Sequence, residues 1–360
     1  MGRAVVTLFV LMMFAGLGAC ATPRYAVPDA DAALSAAAEA ALAEDAMATA
    51  LARRARVYDL AWPVLTANAE LCPDTAPRIG LVLADRDRLA RLSGGLEPAV
   101  LERMGVPESL RVVHAHEGGP AHTEGLRAGQ MVDAVMGEAV TDPDAAVKLL
   151  RAALEDGEAA RVTANGLTYA IQGVPACDVG LKVSTSQAIN ATAISDIVIH
   201  TGLIRSLDDE ALRSVIAHEL AHVVAGHHAK YARNALVTGA PVVGPVVYYG
   251  ARAADRLLGL VGIERDRPLS AGALRALAPW TEAFEAEADY VGLYLHARAG
   301  GDVEAAADAF AVMGREGPRG ISVRATHPLL PERLARHRAT AAEIAAKRAA
   351  GEPLLPELAK

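Results

Sequence analysis

The sequence predicts an α+β protein: a mainly helical unit with a small sheet, interrupted by an inserted module of short strands. Three observations carry that expectation. Hydrophobic residues make up 52% of the chain and aromatics only 4%; the surplus is mostly alanine, which favours helices and small-residue packing over a β-sandwich. At 360 residues the chain is longer than one compact core usually needs, so two folded units are expected. Between about 78 and 175 the texture changes from helical periodicity to short β-branched runs separated by glycines.

The formal charge is −8, from 35 basic and 43 acidic residues, with no long basic run. Phosphate binding needs clustered Lys and Arg, so nucleic acid is excluded as a partner class.

Residues 1–20 stand outside the fold as a signal peptide. Arg3 supplies a positive start, residues 5–14 are apolar but too few to span a bilayer, and the stretch ends in Leu17-Gly18-Ala19-Cys20. That ending resembles the lipobox of bacterial lipoproteins, which implies lipidation at Cys20; an ordinary secretory signal cleaved near Ala19 or Ala21 is the alternative. Either way the mature chain crosses the inner membrane. A lipid anchor implies the membrane as partner, on the periplasmic side of the envelope, and Ala21 after the cysteine favours the outer membrane. Residues 21–77 are expected to hold a tether and then alanine-rich helix from Ala32 to about Ala69, broken around Pro63.

Export makes Cys72 and Cys177 an even pair in an oxidising compartment, which suggests a disulfide. They lie 177 − 72 = 105 residues apart, and closing such a loop stabilises by roughly 4–5 kcal/mol on chain entropy. Two buried thiols are the alternative.

The cysteines bracket the strand-bearing insert, residues 78–176. Leu110 to Ala115 reads as a strand, Gly118-Gly119-Pro120-Ala121 as a turn, and a short helical piece follows to Gly129. Gln130 to Met136 reads as the next strand, and Asp142 to Leu154 as an amphipathic helix with Val147, Leu150 and Leu154 on one face. Two β-branched runs then flank Asn165-Gly166, a strong hairpin signal. This order resembles a PDZ domain of the bacterial protease type, with an unrelated small α/β insert as the alternative. Gln130 stands where that family usually has Asp, and Met136-Gly137 where it has Asn-Gly. Its carboxylate-binding loop would fall at Ile79-Gly80-Leu81.

Residues 177–345 carry the chemistry, ahead of a C-terminal tail at 346–360. The strongest signal is Ala217-His218-Glu219-Leu220-Ala221-His222. Ser206 is expected to cap the helix, and Leu212, Val215, Ile216, Leu220 and Val223 give it apolar spacing. Spacing i, i+4 puts both imidazoles on one face, where they can hold one ion together; Glu219, offset by one, stands where a general base belongs. A catalytic zinc needs a third protein ligand. The best candidate is Glu285 in Glu285-Ala286-Glu287-Ala288-Asp289, with Asp289 one turn on to orient a ligand imidazole. Taken alone, that string reads more readily as a solvated charged helix face than as a ligand site. Glu287, His227, His228 and His337 are read as surface residues, and His200 as a strand residue near the core.

Taken together, these motifs resemble the gluzincin peptidases that include HtpX-type heat-shock proteases and CAAX prenyl proteases. Asn190-Ala191-Thr192-Ala193 is similar to the family's N-A-x-A strand, and Gly202-Leu203 to its turn before the catalytic helix. Asp289-Tyr290-Val291-Gly292 continues the second motif, and Thr326-His327-Pro328 with Arg333 resembles the T-H-P…R element. The resemblance implies a zinc metalloendopeptidase with one Zn2+ per chain, held by His218, His222 and Glu285. Its substrates are proteins or peptides laid along Asn190–Ala193. His327 is open between oxyanion stabilisation, capping of the zinc and a structural role. Thr281-Glu282 stand where the family often has Ser-Arg, which puts any role tied to that arginine in doubt. Residues 235–250 are apolar but interrupted by glycine and proline, and read either as a roof on the site or as a segment lying on the membrane. A chaperone-like zinc-bearing binder and a hydrolase of non-peptide amides are the competing functions.

Overall fold

The computed structural model describes residues 28–29, 31–193, 196–230, 271–307, 309 and 331–358. Cys20 with its leader, residues 235–250 and the Thr326-His327-Pro328 element lie outside the described residues. The chain splits by compactness into Met1–Leu42 and Ala43–Lys360. The described part of the first unit is exposed and contains the opening turns of helix α1 (Ala32–Ala67).

Helix α1 runs through Pro63 without the expected break. A proline inside a helix costs about 3 kcal/mol, but Val64 and Leu65 just after it are 0% and 5% exposed in the main core. Thr66 Oγ1 and Asn68 Nδ2 also donate to the Trp62 and Val64 carbonyls, at 2.9 and 2.8 Å.

The insert follows as β1 (Thr75–Arg78), β2 (Leu81–Ala84), α2 (Arg86–Leu92), α3 (Pro98–Arg103), β3 (Arg111–Ala115) and α4 (Pro120–Thr123). It continues with β4 (Val132–Val135), α5 (Pro143–Glu155), β5 (Ala160–Ala164), β6 (Leu167–Ile171) and β7 (Val174–Cys177). β1 and β7 pair antiparallel with Thr75 opposite Cys177, so the chain enters and leaves the module at one point. Cys72 and Cys177 are joined there by a disulfide. The module has a core of its own, built on Ile79, Leu83, Val112, Leu126, Leu150 and Val162. Asn165 and Gly166 take φ of 49° and 76°, the left-handed pair that a two-residue hairpin turn requires.

Two details differ from expectation. Val147 is 45% exposed, and α5 buries Ala146, Leu150, Ala153 and Leu154 instead: the small alanines let the helix sit close on the strands and turn Val147 outward. The Ile79-Gly80 loop is packed against α1. Its two carbonyls accept from the Ala121 and His116 amides at 2.9 and 2.8 Å, and a Cβ on Gly80 would stand 3.3 Å from the Trp62 ring.

α1 meets the module through an aromatic cluster. Tyr58 stacks on His116 at 5.6 Å, Trp62 meets His116 edge-on at 5.2 Å, and Asp59 Oδ1 lies 2.7 Å from His114 Nε2. Burial, with the nearby His114 and Arg78 charges and against the pull of Asp59, lowers the His116 pKa to about 4. In the unfolded chain a histidine titrates near 6.5. As pH falls from 6.5 to 4, the unfolded state takes up a proton that the folded state refuses. Stability is therefore expected to decline across that window, by on the order of 2–3 kcal/mol, and to be level above it. Among the described residues His116 Nδ1 has no hydrogen-bond partner, so His116→Phe keeps the stack and should flatten this slope in urea melts between pH 7 and 4. An unchanged slope would place the acid sensitivity elsewhere.

The second core belongs to β8 (Gly180–Ser184), β9 (Ala191–Ala193), β10 (Asp196–His200), α6 (Thr201–Ser206), α7 (Asp209–Val224), α8 (Ala271–Arg298) and α9 (Pro331–Ala350). The sheet order is β8-β10-β9, with β10 parallel to β8 and antiparallel to β9, which is an edge strand. Val57 and Val64 of α1 pack here with Ile197, Ile199, Leu212 and Ile216. Residues 351–358 are tied back onto α8 and α9. α9 continues to Ala350, Lys347 Nζ donates to the Leu355 carbonyl at 2.9 Å, and the Glu357 amide donates to Tyr290 Oη at 2.9 Å. Among the described residues, no helix is long and apolar enough to cross a membrane.

Candidate metal centre

The helix expected to start at a Ser206 cap starts two residues later, and a short helix, α6, precedes it. Ser206 ends α6, its Oγ donating to the Gly202 carbonyl at 2.9 Å, and the cap of α7 is Asp208, which accepts from the Ala211 amide at 2.9 Å. Leu207 is 4% exposed, and burying it turns the chain between the two helices. α7 then drives Leu212, Val215, Ile216 and Leu220 into the core, which fixes the rotation of the helix and so the direction of its histidines.

α8 crosses α7 at close range. A Cβ on Gly292 would meet His218 Cα at 2.9 Å and His218 N at 3.1 Å, so only glycine lets the helices approach this closely. The approach brings Glu285 and Asp289, 4% and 6% exposed, onto the two histidines.

The donor atoms converge. His218 Nε2 and His222 Nε2 are 3.2 Å apart, and they stand 3.4 and 3.5 Å from the two Glu285 carboxylate oxygens. The ligand atoms of His218, His222 and Glu285 all lie within 4.8 Å of one another. Two imidazole nitrogens and a carboxylate match the protein ligand set of a catalytic zinc. Electrostatics point the same way. Burial alone would depress the His218 pKa, but hydrogen bonds to Asp289 and Glu285 and the charges of both overcome it and raise it to about 10. Glu219 is 1% exposed, one residue past His218 and outside the converging set.

Each histidine is also held from behind. Asp289 Oδ1 lies 3.1 Å from His218 Nδ1, leaving Nε2 for the centre. His222 Nδ1 lies 2.8 Å from His227 Nδ1, and His227 Nε2 lies 3.0 Å from Glu287 Oε2. One protonation pattern satisfies the whole chain: His222 donates to His227, and His227 donates to Glu287. His227 is 3% exposed and stacks on Phe284 at 4.7 Å, so its surface reading is corrected; α8 covers it. Glu287 is exposed and nonetheless anchors this chain. His228 is half-buried, with a hydrogen bond to the backbone of Ala193, and His337 is 4% exposed on α9, which packs onto α8. His200 is half-buried at the end of β10, where burial lowers its pKa. His227→Ala is expected to weaken metal binding by about 10–100-fold, read by chelator competition, with partial recovery in His227→Gln. Unaltered affinity would leave His227 a packing residue.

Arg333, the arginine of the T-H-P…R element, faces this centre. Its Nε and Nη2 donate to the two Asp289 oxygens at 2.7 and 2.6 Å, and Nη2 lies 3.3 Å from Glu285 Oε2. The residues expected to hold substrate, Asn190 to Ala193, form β9 with its lead-in, and Ala191 and Ala193 are buried at 3% and 4%.

Two imidazoles and a carboxylate converging beside a second, buried carboxylate are the parts of a metal-dependent hydrolase. The comparisons make this specific. The sequence model of peptidase family M48 matches residues 153–341, and that of the PDZ domain matches 111–158. The chain belongs to peptidase family M48, and its enzyme class is that of a metalloendopeptidase. It is 33% identical over 163 residues to the beta-barrel assembly-enhancing protease of Yersinia pestis, covering 42% of this chain and 32% of that protein. It is 31% identical over 157 residues to the protein of the same name from Escherichia coli O157:H7, covering 41% and 31%. The match thus spans about a third of the length of these relatives.

Proposed function

We propose that this chain is a zinc-dependent endopeptidase of the bacterial cell envelope, anchored by lipid at Cys20 on the periplasmic side, outer membrane favoured. Its substrates are misfolded or unassembled envelope proteins. The observation that carries this reading is the convergence of His218, His222 and Glu285 donor atoms within 4.8 Å, with buried Glu219 beside them. The relatives' name ties them to β-barrel assembly, which supports substrates among proteins that are being assembled or have failed to assemble.

In this reading His218, His222 and Glu285 hold one Zn2+. The ion supplies Lewis acidity to water and to the scissile carbonyl. Glu219 accepts the proton of the attacking water and returns it to the leaving nitrogen. Asp289 fixes the His218 ring, with Arg333 holding Asp289, while His227 fixes His222. β9 offers an edge on which an extended substrate segment adds as a further strand. The module of residues 78–176, PDZ-like in its order, binds substrate segments or controls their access; residues 177–345 are the peptidase part. His327 is assigned an approach to the site as oxyanion stabiliser or zinc cap.

The test is cleavage of casein by the purified protein, with zinc measured in the same preparation. Zinc near one per chain with cleavage supports the reading; zinc with no cleavage by wild type would favour the chaperone-like binder. No zinc would remove its foundation.

A further inference from the structure

Arg54 of α1 is 8% exposed, and its Nε and Nη1 donate to the Leu92 and Val183 carbonyls at 2.6 and 3.0 Å. Among the described residues no carboxylate pairs with it, and Nη2 has no hydrogen-bond partner there. A guanidinium this far buried loses most of its hydration, and among the described residues no opposite charge replaces it. Arg54 instead lines a cleft of about 350 Å³ between α1, the turn at Ser93–Leu96 and the end of β8.

The walls have a definite chemistry. Arg53 lines the cleft beside Arg54 and also has no ion-pair partner among the described residues, while the one carboxylate present, Asp45, is exposed. Thr49 and Thr185 add hydroxyls, and Ala46, Ala50 and Leu96 an apolar patch. Gly94 and Gly95, both at φ +87°, form the turn on one side of the cleft, and a Cβ on Gly95 would stand in open space. Two guanidinia favour a planar, two-oxygen anion. The apolar patch calls for a ligand with a body as well as a charge, and the volume suits a small one.

We propose that this cleft binds an organic carboxylate with a short apolar body, the chemistry of a peptide's C-terminal residue, with Arg54 and Arg53 receiving the carboxylate. It is separate from the His218–His222–Glu285 centre and from the Ile79-Gly80 loop, and it does not depend on the peptidase reading. An occupant would tie α1 and the 93–96 turn to the end of β8, from which the chain runs on to β9.

The test is calorimetric titration of the purified protein with N-acetyl-leucine, with N-acetyl-leucinamide and inorganic phosphate as comparison ligands. N-acetyl-leucine should bind at one site, at least about ten-fold more tightly than either. Arg54→Gln should lose that binding. Because Arg54 also ties two backbone carbonyls, Arg53→Gln and the cleft-filling Ala50→Phe serve as second variants, each expected to weaken binding at least about ten-fold with an unchanged urea midpoint. Absence of binding, equal binding of the amide, or full binding in both Arg53→Gln and Ala50→Phe would overturn the proposal; the last would put the ligand at the metal centre. Phosphate binding as tightly as the acid would overturn it in favour of an inorganic-anion site.

Discussion

The Glu219→Gln protein is expected to take up metal as the wild type does and to cleave casein about 10²–10⁴-fold more slowly, the span general acid–base catalysis supplies. Glutamine keeps the shape of the side chain and removes its capacity to accept a proton at neutral pH. Glu219 lies in the middle of α7 at 1% exposure, so the substitution leaves exposed surface and helix ends untouched. Its carboxylate is outside the cluster of converging donors, which consists of His218, His222 and Glu285. Metal content and turnover should therefore separate. Cleavage at the wild-type rate would remove Glu219 as the base. Loss of metal together with cleavage would instead make it part of the ligand set.

The centre was legible where its parts are local. His218 and His222 are one turn apart on α7, and Glu285 and Asp289 one turn apart on α8, so helical spacing alone places each pair on a shared face. The Asn165-Gly166 hairpin was legible for the same reason, since two adjacent residues carry the turn. What stayed hidden depends on contacts between distant segments. His227 lies just past the end of α7, beside His228 and close to Lys230, and reads as surface; Phe284 and Glu287, some 60 residues on, bury and orient it. Nothing near Arg333 says which acid it meets. Pro63 reads as a break because the burial of Val64 and Leu65 cannot be seen locally. The division at Leu207 escaped because Ser206 and Asp208 are both good caps, and only tertiary packing chooses between them.

Arg333→Met is expected to destabilise the protein by about 3–5 kcal/mol, the cost of removing one partner of a buried ion pair, and to loosen the metal centre with it. The Arg333 and Asp289 side chains are 4% and 3% exposed and meet through two hydrogen bonds. Burial works against the Arg333 charge, but Asp289 and the further charges of Glu285 and Glu219 overcome it and raise the Arg333 pKa. Removing Arg333 leaves three buried carboxylates with less positive charge to face, and Asp289 without its fork. Asp289 is also the residue behind His218, so metal affinity should fall by about 10–100-fold. Arg333→Lys keeps the charge but not the planar two-donor geometry, and should recover stability better than affinity. A double-mutant cycle separates the two effects. If the pair acts as a unit, Asp289→Leu with Arg333→Met should be less destabilised than the sum of the single variants, because Asp289 is then no longer left as an unpaired buried charge. Strict additivity in urea melts would mean that the two residues contribute independently, and that His218 is held in place by the packing of α7 against Gly292 rather than by the chain of charge behind it.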